Sequence, residues 1–195
     1  MGISSPTDVR ELAYWIKQAS EKKQAPLIIA VDGRSGVGKS TLASMLKDML
    51  DAAIIEGDDF YAGGIGIRSD SAVSRAAACI DYIQQRTVLE ALSAGRNASW
   101  RAFDWEAFDG RLCDEPTRMA SKPVIILEGV YSARPELADL IDIRIVISVR
   151  DELRMERLIA REGSIGPWER QWHEAEEIYF SDIMPTERFD VICQW

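Results

Sequence analysis

Residues 33–40 read Gly-Arg-Ser-Gly-Val-Gly-Lys-Ser and fit the spacing G-x-x-x-x-G-K-[ST]. At average residue usage, a chance match anywhere in a chain of this length is on the order of 1 in 100. The spacing has a physical purpose. Glycines let successive backbone N–H groups curl round a phosphate, and a helix opening there adds partial positive charge. In that reading Gly33, Ser35, Gly36, Val37, Gly38, Lys39, Ser40 and Thr41 cradle the phosphates of a nucleotide. The Lys39 ammonium reaches the β- and γ-phosphates, and the Ser40 hydroxyl binds Mg²⁺. The alternative is a glycine-rich strand–helix turn that binds nothing.

Acids lie where a phosphate acceptor would need them. Glu56-Gly57-Asp58-Asp59-Phe60-Tyr61 follows an apolar segment, and ligands of open parallel sheets sit outside the carboxyl ends of the strands. A carboxylate there can take a proton from a hydroxyl that attacks the γ-phosphate. A solvated acidic loop is the plainer alternative. Glu128 ends another apolar run, Pro123–Leu127, which suits a carboxylate holding Mg²⁺ through water; a simple strand-end charge is the competing reading. Arg154, Arg157 and Arg161 are spaced i, i+3, i+7 and share one helical face. Beside a triphosphate they would neutralise developing charge. Otherwise they form a solvated face pairing with Glu152, Glu156 and Glu162.

These residues need elements to hold them. Thr7 is a candidate cap for a helix over 8–24, with Val9, Leu12, Ala13 and Ile16 on one stripe. Leu27–Val31 is a continuous apolar run, as expected of a parallel strand buried on both faces. The pattern then predicts a helix over 39–50, a strand over 52–55, a loop over 57–70, and a helix over 72–94 broken near 79–81. Gly95 is a C-terminal stop. A weak strand over 98–103 precedes an irregular stretch over 104–121. Further strands are expected at 123–127, 143–149 and 191–193. Further helices are expected at 135–140, 151–162 and 167–184. Strands alternating with helices imply an α/β fold, a three-layer sandwich with a parallel sheet of about five strands and helices on both faces.

The chain has 195 residues, 47% hydrophobic and 28% charged, which suits one domain over 1–195. Within it 1–25 is an N-terminal helix, 57–121 an acceptor region and 151–170 a lid. The net charge of −9 makes a general nucleic-acid or anionic-membrane binder a poor reading. No apolar run is long enough to span a bilayer. The N-terminus lacks a basic region followed by an apolar one, and Gly2, Ser5 and Pro6 fit an acylation signal poorly. Three scattered cysteines, Cys79, Cys113 and Cys193, suggest neither a disulfide framework nor a zinc site, so a cytoplasmic setting is expected. No N-K-x-D guanine motif is present, as a regulatory nucleotide switch would require. The partner expected is a small-molecule alcohol, with a homo-oligomer left open.

Together these segments resemble the uridine kinase branch of P-loop kinases, which includes nicotinamide riboside kinase, phosphoribulokinase and bacterial pantothenate kinase. The resemblance covers most of residues 27–193. Gly33–Thr41 matches the family phosphate loop. Asp58-Asp59-Phe60-Tyr61 resembles the D-x-F-Y element, which implies Asp58 as catalytic base and Tyr61 near the substrate. Asp81 and the helix ending at Gly95 resemble the segment that leads to a Tyr-Asp-Phe strand end, here Phe103-Asp104-Trp105. Leu127-Glu128-Gly129-Val130 resembles V-E-G-I. Arg154-Met155-Glu156-Arg157 matches the R-x-x-R that starts the lid, which implies Arg154 as a nucleotide contact and Arg157 and Arg161 as catalytic. Pro185–Ile192 resembles the usual ending.

The chain also departs from that pattern. Phe103 stands where the family has tyrosine. Glu106, Ala107 and Phe108 stand where uridine kinases have a base-contacting histidine, and the single histidine is His173. The insertion that helps hold uridine is trimmed. The resemblance therefore implies transfer from ATP, with Mg²⁺, to a hydroxyl of a nucleoside or similar metabolite, or to a vitamin-, pantothenate- or sugar-type acceptor. Phe103 and Trp105 then flank the acceptor. Trp100 flanks it too, and both Trp100 and Trp105 are read either as a stacking platform or as burial against the sheet. Trp168 and Trp172 are read as packing residues of the last long helix, and His173 as a surface or packing residue.

Overall fold

The computed structural model describes residues 8–194. The candidate cap Thr7 and the Gly2–Pro6 segment lie outside them. Helix α1 spans Val9–Glu21 and is capped by Asp8, whose carboxylate accepts Arg10 N–H at 3.0 Å. Strand β1, Leu27–Asp32, is buried along its whole length. The remaining parallel strands are β2 (Ala52–Glu56), β5 (Val124–Glu128), β6 (Ile143–Ser148) and β7 (Val191–Gln194). They form one sheet in the order β2-β5-β1-β6-β7, with every pairing parallel.

Period-two alternation divides the strand residues between two cores. Leu27, Ile29, Val31, Ile126 and Ile145 face α1 and α2 (Lys39–Met49), where Leu12, Ile16, Leu42 and Leu46 close the first core. Ile28, Ala30, Ile125 and Leu127 face the second core, with Leu89 and Leu92 of α4 (Tyr82–Ser93) and Tyr179 beyond α6 (Pro167–Ile178). The fold is the expected α/β sandwich. The pairing of Glu56 and Val31 with Glu128 brings the carboxyl ends of β2, β1 and β5 to one rim.

Several elements differ from expectation. The 72–94 helix is two helices, α3 (Ala72–Ala78) and α4, each with its own side-chain cap, Ser71 and Asp81. The 135–140 segment is a single 3-10 turn, Pro135–Leu137. After α5 (Asp151–Glu162) and α6, the chain passes through a π turn, Tyr179–Ile183, rather than continuing as an α-helix to 184. The weak strand is only β3 (Ala98–Trp100), and it pairs antiparallel with an unexpected β4 (Thr117–Met119). No helix among the described residues is long and apolar enough to cross a membrane.

Candidate functional site

The phosphate loop leaves the end of β1 and enters α2. Gly33 has φ +143°, and a Cβ there would lie 2.7 Å from the Ile147 carbonyl oxygen, so only glycine fits beside β6. Just before it, Asp32 is fully buried. Its carboxylate accepts Gly33 N–H (2.8 Å), Tyr131 N–H (3.2 Å), Ala133 N–H (2.9 Å) and the Tyr179 hydroxyl (2.7 Å). It thereby joins the loop entrance to the segment after β5 and to the turn after α6. Burial pushes its pKa up to about 6 against the pull of these donors. The sequence hinted at Asp32 only as a charge ending an apolar strand.

Lys39 opens α2, and its ammonium donates to the Arg34 carbonyl at 3.1 Å across the loop. Its charge lowers the carboxyl pKa values of Asp32, Asp58 and Glu128, so the cation sits among three acids. The Ser40 hydroxyl donates to Glu128 Oε1 at 2.9 Å. Desolvation raises the pKa of the buried Glu128, and Lys39 and Ser40 oppose it. A hydroxyl and a carboxylate side by side are hard oxygen donors. They suit Mg²⁺, which takes one or two protein oxygens and fills its octahedron with phosphates and water. Thr41 follows, exposed, in the first turn of α2.

Asp58 and Asp59 lie in a 3-10 turn, Gly57–Phe60, directly after β2. A Cβ on Gly57 would come 2.9 Å from the Glu128 carbonyl oxygen, and one on Gly129 would come 3.2 Å from Gly57 Cα. The two glycines thus let the ends of β2 and β5 meet, which sets Asp58 beside Glu128. Asp58 opens into a cleft of about 490 Å³, also lined by Ser35, Glu56, Trp105, Phe108, Arg161, Trp168, Trp172 and His173. Surrounding protein desolvates the Asp58 carboxyl and raises its pKa; Lys39 pulls the other way. Asp59 is engaged elsewhere, accepting the Trp100 indole N–H at 2.7 Å. Trp100 itself is buried and stacked on Phe60, so of its two readings burial is the one the structure has.

The arginines separate. Arg157 donates to the Val37 carbonyl at 3.3 Å, over the phosphate loop. Arg161 lies exposed on the cleft rim and pairs with Glu162 at 2.6 Å. Arg154 is buried, pairs with Asp151 at 3.1 Å and packs its stem against Gly36. It braces α5 on the loop rather than opening into the cleft.

Two residues expected at the acceptor also stand differently. Tyr61 is buried, and its hydroxyl donates to the Gly64 carbonyl at 2.6 Å. Phe103 is buried edge-on to Tyr61 and Trp105. Neither lines the cleft. They form a layer behind Trp105, because four aromatic neighbours crowd Tyr61: Phe103, Trp105, Trp168 and Trp172. Trp168 and Trp172, expected only to pack α6, stack on each other with centroids 5.9 Å apart and face the cleft. His173 lines it as well, and desolvation lowers its pKa. Their i, i+4 spacing was the one available signal.

The model of the phosphoribulokinase/uridine kinase family matches residues 28–165. A uridine kinase from Streptococcus uberis is 28% identical over 149 residues, covering 72% of this chain and 69% of the relative. A solved structure from Bacillus stearothermophilus described as a possible uridine kinase superposes with a TM-score of 0.65 at 19% identity, over 94% of this chain and 99% of that one. A D-glycerate 3-kinase from Cryptococcus neoformans superposes with a TM-score of 0.67 at 15% identity, over 95% of each chain. At these identities the structures speak for the fold alone. The family match spans the phosphate loop, the Asp58 turn, Glu128 and the whole of α5, and the chain belongs to the phosphoribulokinase/uridine kinase family.

Proposed function

We propose that this chain is an ATP-dependent kinase that transfers the γ-phosphate to a hydroxyl of a small molecule, a nucleoside or similar metabolite. One observation carries the reading. The Asp58 carboxylate opens into the cleft with no side-chain donor among the described residues, close enough to Lys39 and to the Ser40-bonded Glu128 to feel the charge of both.

Each residue then has a task. The loop amides from Gly33 to Thr41 cradle the phosphates, with Ser35, Gly36, Val37 and Gly38 forming the turn. Lys39 bridges the β- and γ-phosphates. Ser40 and Glu128 would hold Mg²⁺, which neutralises phosphate charge when bound. Asp58 accepts the proton of the acceptor hydroxyl as its oxygen bonds to the γ-phosphorus; the bond from that phosphorus to the β-bridging oxygen breaks, and ADP leaves. Arg157 and Arg161 balance charge on the moving phosphoryl group, and Arg154 holds the base of the lid, 151–170, on the loop. Trp105 forms one wall of the acceptor seat, backed by Tyr61 and Phe103. The three free cysteines fit a reducing cytoplasm.

The test is an ATP-consumption screen over nucleosides, vitamins and sugars, with Asp58→Asn as blank. The reading expects one acceptor class to draw ADP formation from the wild type only. Equal rates in both proteins on every acceptor contradict it.

A further inference from the structure

Trp168, Trp172 and Glu176 follow one another at i, i+4 along α6, so their side chains share one side of the helix. The two indoles line the cleft. Glu176 is fully buried and reaches the phosphate loop. Its Oε1 accepts the Ser35 N–H at 2.9 Å, the Ser35 hydroxyl at 2.5 Å and the Trp172 indole N–H at 2.6 Å. The same indole N–H lies 2.9 Å from Ser35 Oγ. Oε2 is buried with no hydrogen-bond partner among the described residues.

Burying a carboxylate with one bare oxygen is costly, and a well-packed apolar side chain would avoid that cost. What the site gains is the set of donors on Oε1. Ser35 lies between Gly33 (φ +143°) and Gly36 (φ +85°), where the backbone has little preference of its own. The loop's shape at this point therefore depends on outside anchors. Glu176 supplies one through both the amide and the hydroxyl of Ser35. The helix bearing it is fixed in turn by ion pairs of its neighbours, Glu177 with Arg34 (2.6 Å) and Glu174 with Arg75 (2.5 Å).

We propose that Glu176 is a positioning residue that ties the phosphate loop to the aromatic wall of the cleft, so that one carboxylate sets the ATP cradle and the acceptor seat together. The inference rests on the kinase reading of the cleft. It differs in sign from a purely electrostatic role. A negative charge beside the loop repels phosphate, so its removal alone would tighten MgATP binding. Loss of an anchor weakens it.

The experiment is calorimetric titration of MgATP, without acceptor, into the wild type, Glu176→Ala, Glu176→Gln, Trp172→Phe and the Glu176→Ala/Trp172→Phe double variant. Glu176→Ala should weaken MgATP about tenfold, the size of one hydrogen bond to a charged acceptor. Glu176→Gln, which keeps a carbonyl at the same place, should recover most of that. Trp172→Phe keeps a ring in the wall and loses only the N–H; it should weaken MgATP a few-fold, and should add nothing in the double variant. Unchanged or tighter binding by Glu176→Ala overturns the proposal, as does additivity of the two changes. If Glu176→Ala does not fold, Trp172→Phe decides, and wild-type affinity in it overturns the tie. A wild-type chain that does not bind MgATP overturns the kinase reading itself, a result distinct from a wild type that binds beside variants that are unaffected.

Discussion

The Trp100 indole N–H donates to Asp59 Oδ2 at 2.7 Å, which leaves Asp58 as the member of the acidic pair that lines the cleft. Adjacent residues leaving a strand point to different sides, and here one side is core and the other is the phosphate site. Asp58→Asn should lose on the order of 10²–10⁴ in acceptor phosphorylation, the range for a lost general base, with MgATP affinity little changed. Asp59→Asn retains an oxygen for Trp100 and should lose far less. Steady-state rates on one acceptor rank the two; the reverse order would move the base to Asp59.

Asp58 also fixes a pH dependence. Desolvation raises its pKa above the usual carboxylate value, and the proposed role needs the ionised form. Activity should therefore fall as pH drops through that raised value, so kcat/KM shows an acid limb above the ordinary carboxylate range. The profile of Asp58→Asn should lack this limb. A wild-type profile that stays flat down to the ordinary carboxylate range would argue against Asp58 as base.

Arg157 and Arg161 should act on turnover. Arg157 hangs over the loop from the Val37 carbonyl, and Arg161 stands on the rim. Both side chains are exposed, and their charge would oppose charge that develops during transfer. Arg157→Ala and Arg161→Ala should lower kcat by roughly 10–10²-fold and raise KM for ATP less. Unchanged single-turnover rates in both would return them to a solvated face.

Asp32 makes a stability prediction. Asp32→Asn turns an NH₂ towards a ring of four donors and should destabilise the fold by about 2–4 kcal/mol. The carboxyl pKa is raised from 3.8 to about 6. Its contribution is therefore fully present below 3.8 and is lost as pH rises through about 6. The gap between wild type and Asp32→Asn should be widest near the lower value and narrow towards neutrality. Urea unfolding across that window measures it, and a gap that widens with pH would contradict the assignment.

Local signals suffice where chemistry and periodicity coincide. The run Leu27–Val31, the glycines after it and the helical stripe of Leu42 and Leu46 specify strand, loop and helix from neighbours alone. The ends of β2 and β5 were legible for the same reason. Strand β4 was not, because Thr-Arg-Met carries neither apolar alternation nor length; its pairing with β3 makes it a strand. Tyr61 could not be placed from sequence, since its hydroxyl is taken by Gly64 and its ring by indoles from α6. Glu176 was illegible for the plainest reason. It meets Ser35 across 141 residues of chain, and nothing local in either segment announces the other.

The most direct test of the account is ³¹P NMR of the wild type with MgATP and the acceptor that draws ADP formation, with Lys39→Ala alongside. The account predicts a new phosphomonoester signal, coupled to the acceptor's carbinol protons, growing in step with ADP. Lys39→Ala should form little of it while keeping the wild-type melting curve, because the loop backbone shapes the turn and, among the described residues, the ammonium donates only to the Arg34 carbonyl. ATP turned only into ADP and free phosphate, or full ester formation by Lys39→Ala, would contradict it.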